Sequence, residues 1–343
     1  MFKISNLEIN LNSKPIILPE IGINHNGSLE TAFKIVDSAK RAGAKIIKHQ
    51  THIPSDEMSE EAKKIKPGNS NRNIYNIIRS SCLSEEEEYK LLKYTKLKKM
   101  VFISTPFSRQ AVDRLVKFNI PAFKIGSGEM SNLPLLEYIC KFKKPLIVST
   151  GMHSLNEVTK TYNFLKKRNI KFAFLHTTNL YPTKDKHLRL NSIVEMKKKF
   201  FNIPIGLSDH TPDLLSSIIG ITLGAKIIEK HFVHSKKLAG PDIPASIDEK
   251  QLKNLIEVSG RVHDQLKGNK NRLKQEQVTR NFAYSSVISL RNIKKGEKFS
   301  KNNLWVKRPG TGYFNSNKLK KLYGKIAKND IKANFQIKKK DVK

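Results

Sequence analysis

Short apolar runs rich in β-branched residues recur along the chain, and segments with helical spacing of apolar positions separate them. The pattern predicts eight strands, at 15–21, 44–48, 100–105, 122–126, 145–150, 171–176, 203–207 and 225–231. It predicts amphipathic helices at 29–41, 85–98, 109–117, 134–142, 155–167, 191–199, 212–224 and 248–266. Because strands that alternate with helices pair in parallel through right-handed crossovers, the pattern indicates an α/β fold.

The number of strand–helix units decides between the two common α/β architectures. Eight units within about 250 residues are typical of a closed (β/α)8 TIM barrel. An open doubly wound sheet fits less well, because no GxGxxG follows an early strand. The first dozen residues have the pattern of a hairpin that plugs the bottom of the barrel. We therefore predict a TIM barrel over 1–275.

The pattern changes after the last predicted helix. Short alternating runs at 285–290 and 304–307 are separated by glycine-containing turns, which is typical of a small β-rich domain. We expect this second domain over 283–343.

Charge is the most unusual feature of the composition. The 343 residues include 64 Lys and Arg against 30 Asp and Glu, a formal net charge of +34. A chain with this much positive charge suggests nucleic acid as a binding partner. The excess is mainly scattered lysine, without the interleaved aromatic residues that stack bases. We expect no nucleic-acid partner, and a basic binding protein on a barrel scaffold stays the alternative from another class.

The apolar runs and the cysteines argue against several classes of protein. No stretch approaches the roughly 20 apolar residues of a membrane helix, and the N-terminal residues lack the apolar run of a signal peptide. We therefore expect a cytoplasmic protein without a membrane partner. Cys82 and Cys140 are isolated, which argues against a disulfide framework or a zinc knuckle.

Two histidines are the first candidates for chemistry, because TIM barrels carry their sites at the C-terminal ends of the strands. His210 and His231 are 21 residues apart and close the seventh and eighth strands, which lie about 5 Å apart as neighbours. Two imidazoles at this separation can share one metal ion. Asp209, Glu20 and Glu229 supply oxygen donors nearby, which favours manganese, magnesium or a similar ion over structural zinc.

Two lysines and several hydroxyl groups converge on the same mouth. Lys48 and Lys124 end the second and fourth strands, and Thr105, Ser127 and Ser149 follow other strands. Ammonium and hydroxyl donors suit a phosphate or a carboxylate. A Schiff-base lysine is the alternative, but the metal pair makes that chemistry redundant.

Two glutamates are candidates for acid–base chemistry. Glu20 and Glu129 lie at or just beyond strand ends, close to cations. The alternative for each is a carboxylate that orients a lysine or a histidine. The segment 24–28 has the pattern of a loop that leads into a helix, with Ser28 as the N-cap and His25 as a turn residue.

Sequence motifs along nearly the whole chain resemble those of the sialic acid synthase family. They are PEIGINHNGS, AKIIKHQTH, FISTPFS, FKIGSGE, VSTGM, HTTNLYPT, GLSDHT, GPDI and WVKRPGTG. The resemblance implies a TIM barrel followed by a C-terminal antifreeze-like (SAF) domain that is swapped across a homodimer. It implies that phosphoenolpyruvate condenses with N-acetylmannosamine and water, and that phosphate leaves by C–O cleavage. A diacetamido-trideoxyhexose acceptor, which leads to legionaminic acid, is the alternative.

The resemblance also implies a role for individual residues. His210 and His231 become the ligands of a divalent metal, with manganese preferred and magnesium or cobalt as alternatives. Phosphoenolpyruvate is assigned to Lys48, Thr105, Lys124, Ser127, Ser149, Asn179 and Ser208. The sugar is assigned to Glu20, Asn69, Tyr181, Glu229, Asp242 and Arg308. Glu20, Glu129 and Lys48 become the candidate catalytic groups.

This chain departs from the family pattern at a few positions. Met130 and Ser131 stand where a Cys-Asn pair is common, and Lys230 replaces an arginine before His231. None of these changes removes an implied ligand. A related enzyme that acts on a sugar phosphate would need an arginine cluster, which the strand ends lack.

Overall fold

The computed structural model describes residues 2–68 and 70–343, and the chain divides into two compact units, Met1–Lys267 and Gly268–Lys343. No helix in the described part of the chain combines the length and the apolar character needed to cross a membrane.

The first unit begins with a hairpin and continues as strands that alternate with helices. Its strands are β1 Phe2–Ile4, β2 Leu7–Ile9, β3 Ile16–Gly22, β4 Ile46–Thr51, β5 Val101–Pro106, β6 Phe123–Ile125, β7 Leu146–Ser149, β8 Phe172–Thr177, β9 Ile205–Asp209 and β10 Ile227–His231. Its helices are α1 Leu29–Arg41, α2 Pro54–Glu57, α3 Ile74–Ser81, α4 Glu85–Leu97, α5 Arg109–Lys117, α6 Leu133–Cys140, α7 Leu155–Lys167, α8 Asn191–Lys199, α9 Leu215–Thr222 and α10 Glu249–Gln265.

Strands β3 to β10 close into a barrel in sequence order, with β10 paired to both β9 and β3. Every neighbouring pair in the barrel is parallel. The predicted TIM barrel is therefore confirmed. The eight predicted strands and eight predicted helices match the observed elements to within a few residues at each end, whereas α2 and α3 were not predicted.

Apolar side chains fill the lower part of the barrel interior. They come from alternate positions of the barrel strands and from the hairpin: Phe2, Ile4, Ile9, Leu18, Ile46, Ile103, Ala122, Ile147, Ala173, Leu175 and Ile227. The predicted hairpin thus closes one end of the barrel. A second and larger apolar layer packs the outer faces of the strands against the helices.

The alternation of side chains along a strand decides what lies above this interior layer. Two positions after an inward apolar residue, the next side chain faces the same way. At these positions the chain places polar residues: Glu20 after Leu18, Lys48 after Ile46, Thr105 after Ile103, Lys124 after Ala122, Ser149 after Ile147, and Glu229 after Ile227. All of these polar residues are buried. The fold therefore builds a polar layer directly on an apolar one.

The second unit is a small β-rich fold with its own core. It contains α11 Gln277–Ala283, β11 Ser286–Ser289, β12 Leu304–Lys307 and α12 Leu319–Leu322, and β11 pairs antiparallel with β12. Its core consists of Val287, Ile293, Phe299, Leu304, Leu322, Ala327, Ile331 and Ile337.

Candidate active site

Two buried lysines define one half of the polar layer. Lys124 Nζ donates to Ser149 Oγ at 2.8 Å and lies 3.4 Å from Glu229 Oε1, and Lys48 forms an ion pair with Glu20. Burial lowers the pKa of Lys48 to about 7 and also lowers the pKa of Lys124. Burial alone would raise the pKa of Glu229, but the two ammonium groups hold it below its ordinary value. Because both cations are deeply buried, an anion bound here would meet them with little screening by water.

Hydroxyl and amide groups surround these lysines. Ser208 Oγ donates to Glu229 Oε1 at 2.9 Å, and Ser127 Oγ accepts from the Gly151 N–H at 3.1 Å. Among the described residues, Thr105 Oγ1 and Asn179 Oδ1 are buried without a hydrogen-bond partner. Buried polar atoms are rarely left unsatisfied, so their concentration at one mouth indicates a place where a polar ligand binds.

Gly151 is a site residue that the sequence reasoning did not identify. A Cβ atom at this position would lie 1.8 Å from Asn179 Oδ1 and 2.8 Å from Ser127 Oγ. Only glycine therefore lets these two side chains approach the backbone between β7 and α7. A glycine immediately after a barrel strand was the available signal.

Two histidines extend the polar layer, with His210 directly after β9 and His231 at the end of β10. The ring centroids of His210 and His231 are 5.4 Å apart. His210 Nδ1 lies 2.8 Å from the Thr178 carbonyl oxygen, so this nitrogen carries the proton and Nε2 keeps its lone pair. Burial lowers the pKa of His210 to about 4 and lowers the pKa of His231 well below its usual value. Both imidazoles are neutral at pH 7, which is the state that binds a metal ion.

The residues present fit a metal that is held by two protein side chains. The backbone carbonyl that fixes the His210 tautomer is the kind of second contact that metal-binding histidines make. His231 Nδ1 and Glu229 Oε2 are buried without a hydrogen-bond partner in the described structure. No group of three His, Cys, Asp or Glu side chains in residues 2–68 and 70–343 is arranged to hold an ion. Water and substrate would therefore supply the remaining ligands.

Tyr181 and Asp242 border the histidine pair. The Tyr181 ring stacks on His210 at a centroid distance of 4.2 Å and meets His231 edge-on at 5.6 Å. Asp242 Oδ2 lies 3.6 Å from His231 Nδ1. Burial raises the pKa of Asp242 to about 6, against the opposing effects of Lys48 and His52.

A cavity of about 780 Å³ opens beside Tyr181 and Asp242. Its polar wall includes Gln50, His52 and Asn179. His52 Nε2 lies 2.9 Å from Gln50 Oε1, and its Nδ1 lies 3.0 Å from the Glu57 carboxylate. An apolar wall of four isoleucines, Ile23, Ile74, Ile77 and Ile78, also lines the cavity, and the Phe107 ring stacks on His52 at a centroid distance of 4.3 Å. The cavity therefore offers both hydrogen-bonding and apolar contacts to a molecule the size of a sugar.

The first unit does not bring Glu129 into this cluster, and two other residues assigned by resemblance lie outside the described part of that unit. Glu129 is half-buried and its carboxylate accepts from Asn132 Nδ2 at 2.6 Å, while burial raises its pKa. Asn69 lies outside the described residues. Arg308 follows β12 in the second unit and is exposed. The other assigned residues all belong to the polar layer or to the cavity beside it.

Comparison with known proteins gives a consistent family assignment. The model of the NeuB family matches residues 35–271, and the model of the SAF domain matches residues 284–343.

Individual relatives carry related activities. N,N'-diacetyllegionaminic acid synthase of Campylobacter jejuni is 34% identical, over 94% of this chain and 99% of the relative. Pseudaminic acid synthase of the same species is 34% identical, over 97% of this chain and 98% of the relative. The crystal structure of the N-acetylneuraminic acid synthetase of Leptospira borgpetersenii superposes with a TM-score of 0.74 at 27% identity, covering 81% of this chain and 94% of that one.

Proposed function

The chain belongs to the NeuB family of sugar-acid synthases, and from this premise we propose that it condenses phosphoenolpyruvate with N-acetylmannosamine and water, releasing phosphate. The observation that carries the proposal is that two groups of side chains, an anion site and a histidine pair, lie together at one mouth of the barrel. Lys48 and Lys124 form an anion site, and the neutral pair His210 and His231 lies across Glu229 from them.

In this proposal the lysine half binds phosphoenolpyruvate. Lys48 and Lys124 contact its anionic groups, and the hydroxyl and amide groups of Thr105, Ser127, Ser149, Asn179 and Ser208 complete the contacts. The electron pair of the C2–C3 double bond of phosphoenolpyruvate forms a bond from C3 to the aldehyde carbon of the sugar, which leaves positive charge at C2. The C=O electron pair moves to the aldehyde oxygen, which takes up a proton and becomes a hydroxyl group. Water adds to C2, and the resulting tetrahedral species expels phosphate through cleavage of its C–O bond.

The histidine half accepts the aldehyde. A divalent ion held by His210 and His231, manganese in our proposal with magnesium or cobalt as alternatives, would polarise the aldehyde oxygen when bound. Tyr181, Glu229 and Asp242 orient the sugar. Glu20, paired with Lys48, takes the proton of the attacking water.

A diacetamido-trideoxyhexose is the second candidate for the acceptor. The isoleucine wall of the cavity could pack a methyl group or a second acetyl group, and the similar Campylobacter enzyme is named for the legionaminic acid product. The two acceptors differ in how much apolar surface they offer to this wall.

Phosphate release from phosphoenolpyruvate tests the proposed function. Purified protein is assayed with N-acetylmannosamine, with the diacetamido sugar and with mannose as a sugar that lacks the acetamido group. We expect turnover with N-acetylmannosamine, loss of turnover after dialysis against EDTA, and recovery with Mn²⁺. Full turnover in metal-free protein would contradict the role of the histidine pair, and no turnover with any N-acylated hexosamine would contradict the proposed reaction.

The pH dependence of phosphoenolpyruvate capture follows from the Lys48 pKa of about 7. We expect kcat/KM for phosphoenolpyruvate to fall as the pH rises through about 7, because the ammonium form attracts the anion and the neutral amine does not. Lys48→Arg should keep its charge throughout and so remove this fall, even if its overall activity is lower. If kcat/KM for phosphoenolpyruvate still falls above pH 7 in Lys48→Arg, the titration of another group causes the fall.

The homodimer implied by the resemblance remains part of the proposal, and Arg308 belongs to the segment that the SAF domain model matches, 284–343. In it, Arg308 of a second subunit contacts the N-acetyl group of the sugar. We expect Arg308→Ala to raise the KM of the sugar far more than that of phosphoenolpyruvate, measured from phosphate release. Equal effects on both substrates would contradict this placement.

A further inference from the structure

A chain of buried polar side chains runs from helix α4 to the loop after β3. His49 Nδ1 lies 3.2 Å from Glu88 Oε1, and His49 Nε2 lies 3.3 Å from His25 Nε2. The N–H of Gly27 donates to His25 Nδ1 at 3.2 Å. His49 follows Lys48 on β4, and its ring packs toward Phe102 in the outer layer, whereas Lys48 faces the site. The reaction proposed above leaves this chain without a role.

The contacts of Glu88 and of the Gly27 N–H favour one arrangement of protons in this chain. Glu88 is a carboxylate and can only accept, so the facing His49 Nδ1 carries a proton. The Gly27 N–H can only donate, so His25 Nδ1 keeps its lone pair and His25 Nε2 carries the proton. His49 Nε2 must then accept from His25, which makes both rings neutral. In agreement, burial lowers the pKa of His25 to about 3.

The Glu88 end of the chain holds the negative charge. Glu88 is 1% exposed, its Oε2 accepts from Arg114 at 3.1 Å, and its Oε1 also accepts from the Thr51 hydroxyl. Burial alone would raise the pKa of Glu88, but the bonds from His49 and Thr51 and the charge of Arg114 lower it. The anion therefore selects the Nδ1–H tautomer of His49, which is not the tautomer that free neutral imidazole favours.

The loop at the other end of the chain is hydrogen-bonded to residues on either side of Asp242, which lines the cavity. Asn24 Nδ2 donates to the Phe232 carbonyl oxygen and to Ser246 Oγ, each at 3.0 Å, and Ser246 Oγ donates to the Asp242 carbonyl oxygen at 2.8 Å. Asn26 Nδ2 donates to the Ala239 carbonyl oxygen at 2.7 Å. The two asparagines that flank His25 thus hold the segment that carries Asp242.

We propose that Glu88 is a positioning residue for the sugar half of the site: through His49 and His25 it holds the loop 24–27, and that loop holds Asp242 beside His231. The inference rests on the proposed function for its kinetic consequence, since Asp242 is assigned there to the sugar. The pair of tautomers is a structural expectation, and it can be tested whether or not the protein is active.

Glu88→Gln tests this role with little change in shape. An amide cannot accept from Arg114 on one atom and from His49 and Thr51 on the other, so one contact must be lost. We expect the KM of the sugar to rise about tenfold, a part of the roughly 100-fold that a 1 Å misplacement can cost, with the KM of phosphoenolpyruvate within about twofold of wild type. Glu86→Gln, on the exposed face of the same helix and paired with Lys90, is the matched control and should change neither value.

Nitrogen NMR of the histidine rings reports the chain directly. In the wild type we expect His49 as the Nδ1–H tautomer and His25 as the Nε2–H tautomer, and in Glu88→Gln the His49 signal should move toward the other form. If Glu88→Gln does not fold, His25→Gln interrupts the same chain and carries the same kinetic expectation.

Three outcomes would overturn the inference. They are the Nε2–H tautomer at His49 in the wild type, equal increases in both KM values, or an unchanged sugar KM in a variant whose His49 tautomer has changed. A wild type that shows the two tautomers but releases no phosphate with any N-acylated hexosamine would instead overturn the proposed function.

Discussion

His231→Ala is expected to lower the rate of phosphate release by about 1000-fold, which corresponds to about 4 kcal/mol of transition-state stabilisation. The reason is that one imidazole alone holds a divalent ion poorly, while the rings of His210 and His231, with centroids 5.4 Å apart, are close enough for both to bind one ion. Calorimetric titration with Mn²⁺ should show a matching loss of affinity, and the thermal unfolding temperature without metal should change little.

His263→Ala is the control for this prediction, because His263 lies on α10 away from the mouth of the barrel. It should leave both the rate and Mn²⁺ binding unchanged. Normal Mn²⁺ affinity in His231→Ala, with the rate reduced, would show that His231 acts on the sugar and not on a metal.

Asp209→Ala is expected to lower the free energy of unfolding by about 3–5 kcal/mol, the usual cost of leaving one charge of a buried ion pair without its partner. Lys230 Nζ lies 3.0 Å from Asp209 Oδ2, and neither side chain is exposed at all. Asp209 also accepts from the Thr211 N–H at 2.9 Å and from Ser216 Oγ at 3.1 Å. Chemical denaturation followed by circular dichroism measures the change.

Two further variants separate the buried charge from other effects. In Asp209→Leu with Lys230→Met both charges are gone, and most of the lost stability should return, because removing a whole buried pair is often close to neutral. Asp264→Ala removes an exposed partner of Lys267 and should change the free energy of unfolding by less than about 1 kcal/mol. A small effect of Asp209→Ala would mean that Lys230 can lose its proton at little cost.

This ion pair has a bearing on the site because of its position in the sequence. Asp209 precedes His210 on β9, and Lys230 precedes His231 on β10. The pair bridges the two strands on the face opposite to the histidines. Lys230, which stands where the family pattern has an arginine, makes this contact with Asp209. The pair therefore links the two strands that carry the imidazoles.

The sequence by itself determined the barrel and most of the polar layer. Alternation with period two along the strands and helical spacing between them are local properties, and a buried strand shows them regardless of its partners. The same alternation predicts that Lys48, Lys124 and Glu229 lie on the inner face of the barrel. Because each lies near the C-terminal end of its strand, they meet at one mouth of the barrel. Helix α3 was missed because its few apolar positions lie in a long connection where no neighbouring strand marks its limits.

Only the tertiary structure decided which of these groups act together, because that depends on contacts between residues far apart in the chain. It showed that Glu129 accepts a hydrogen bond from Asn132 in its own turn, whereas Glu20 forms an ion pair with Lys48. It showed that Gly151 must lack a side chain. It joined His25, a turn residue in the sequence, to Glu88 through His49. Spacing can place a histidine at the end of a strand, but its tautomer and its charge are set by what it meets there.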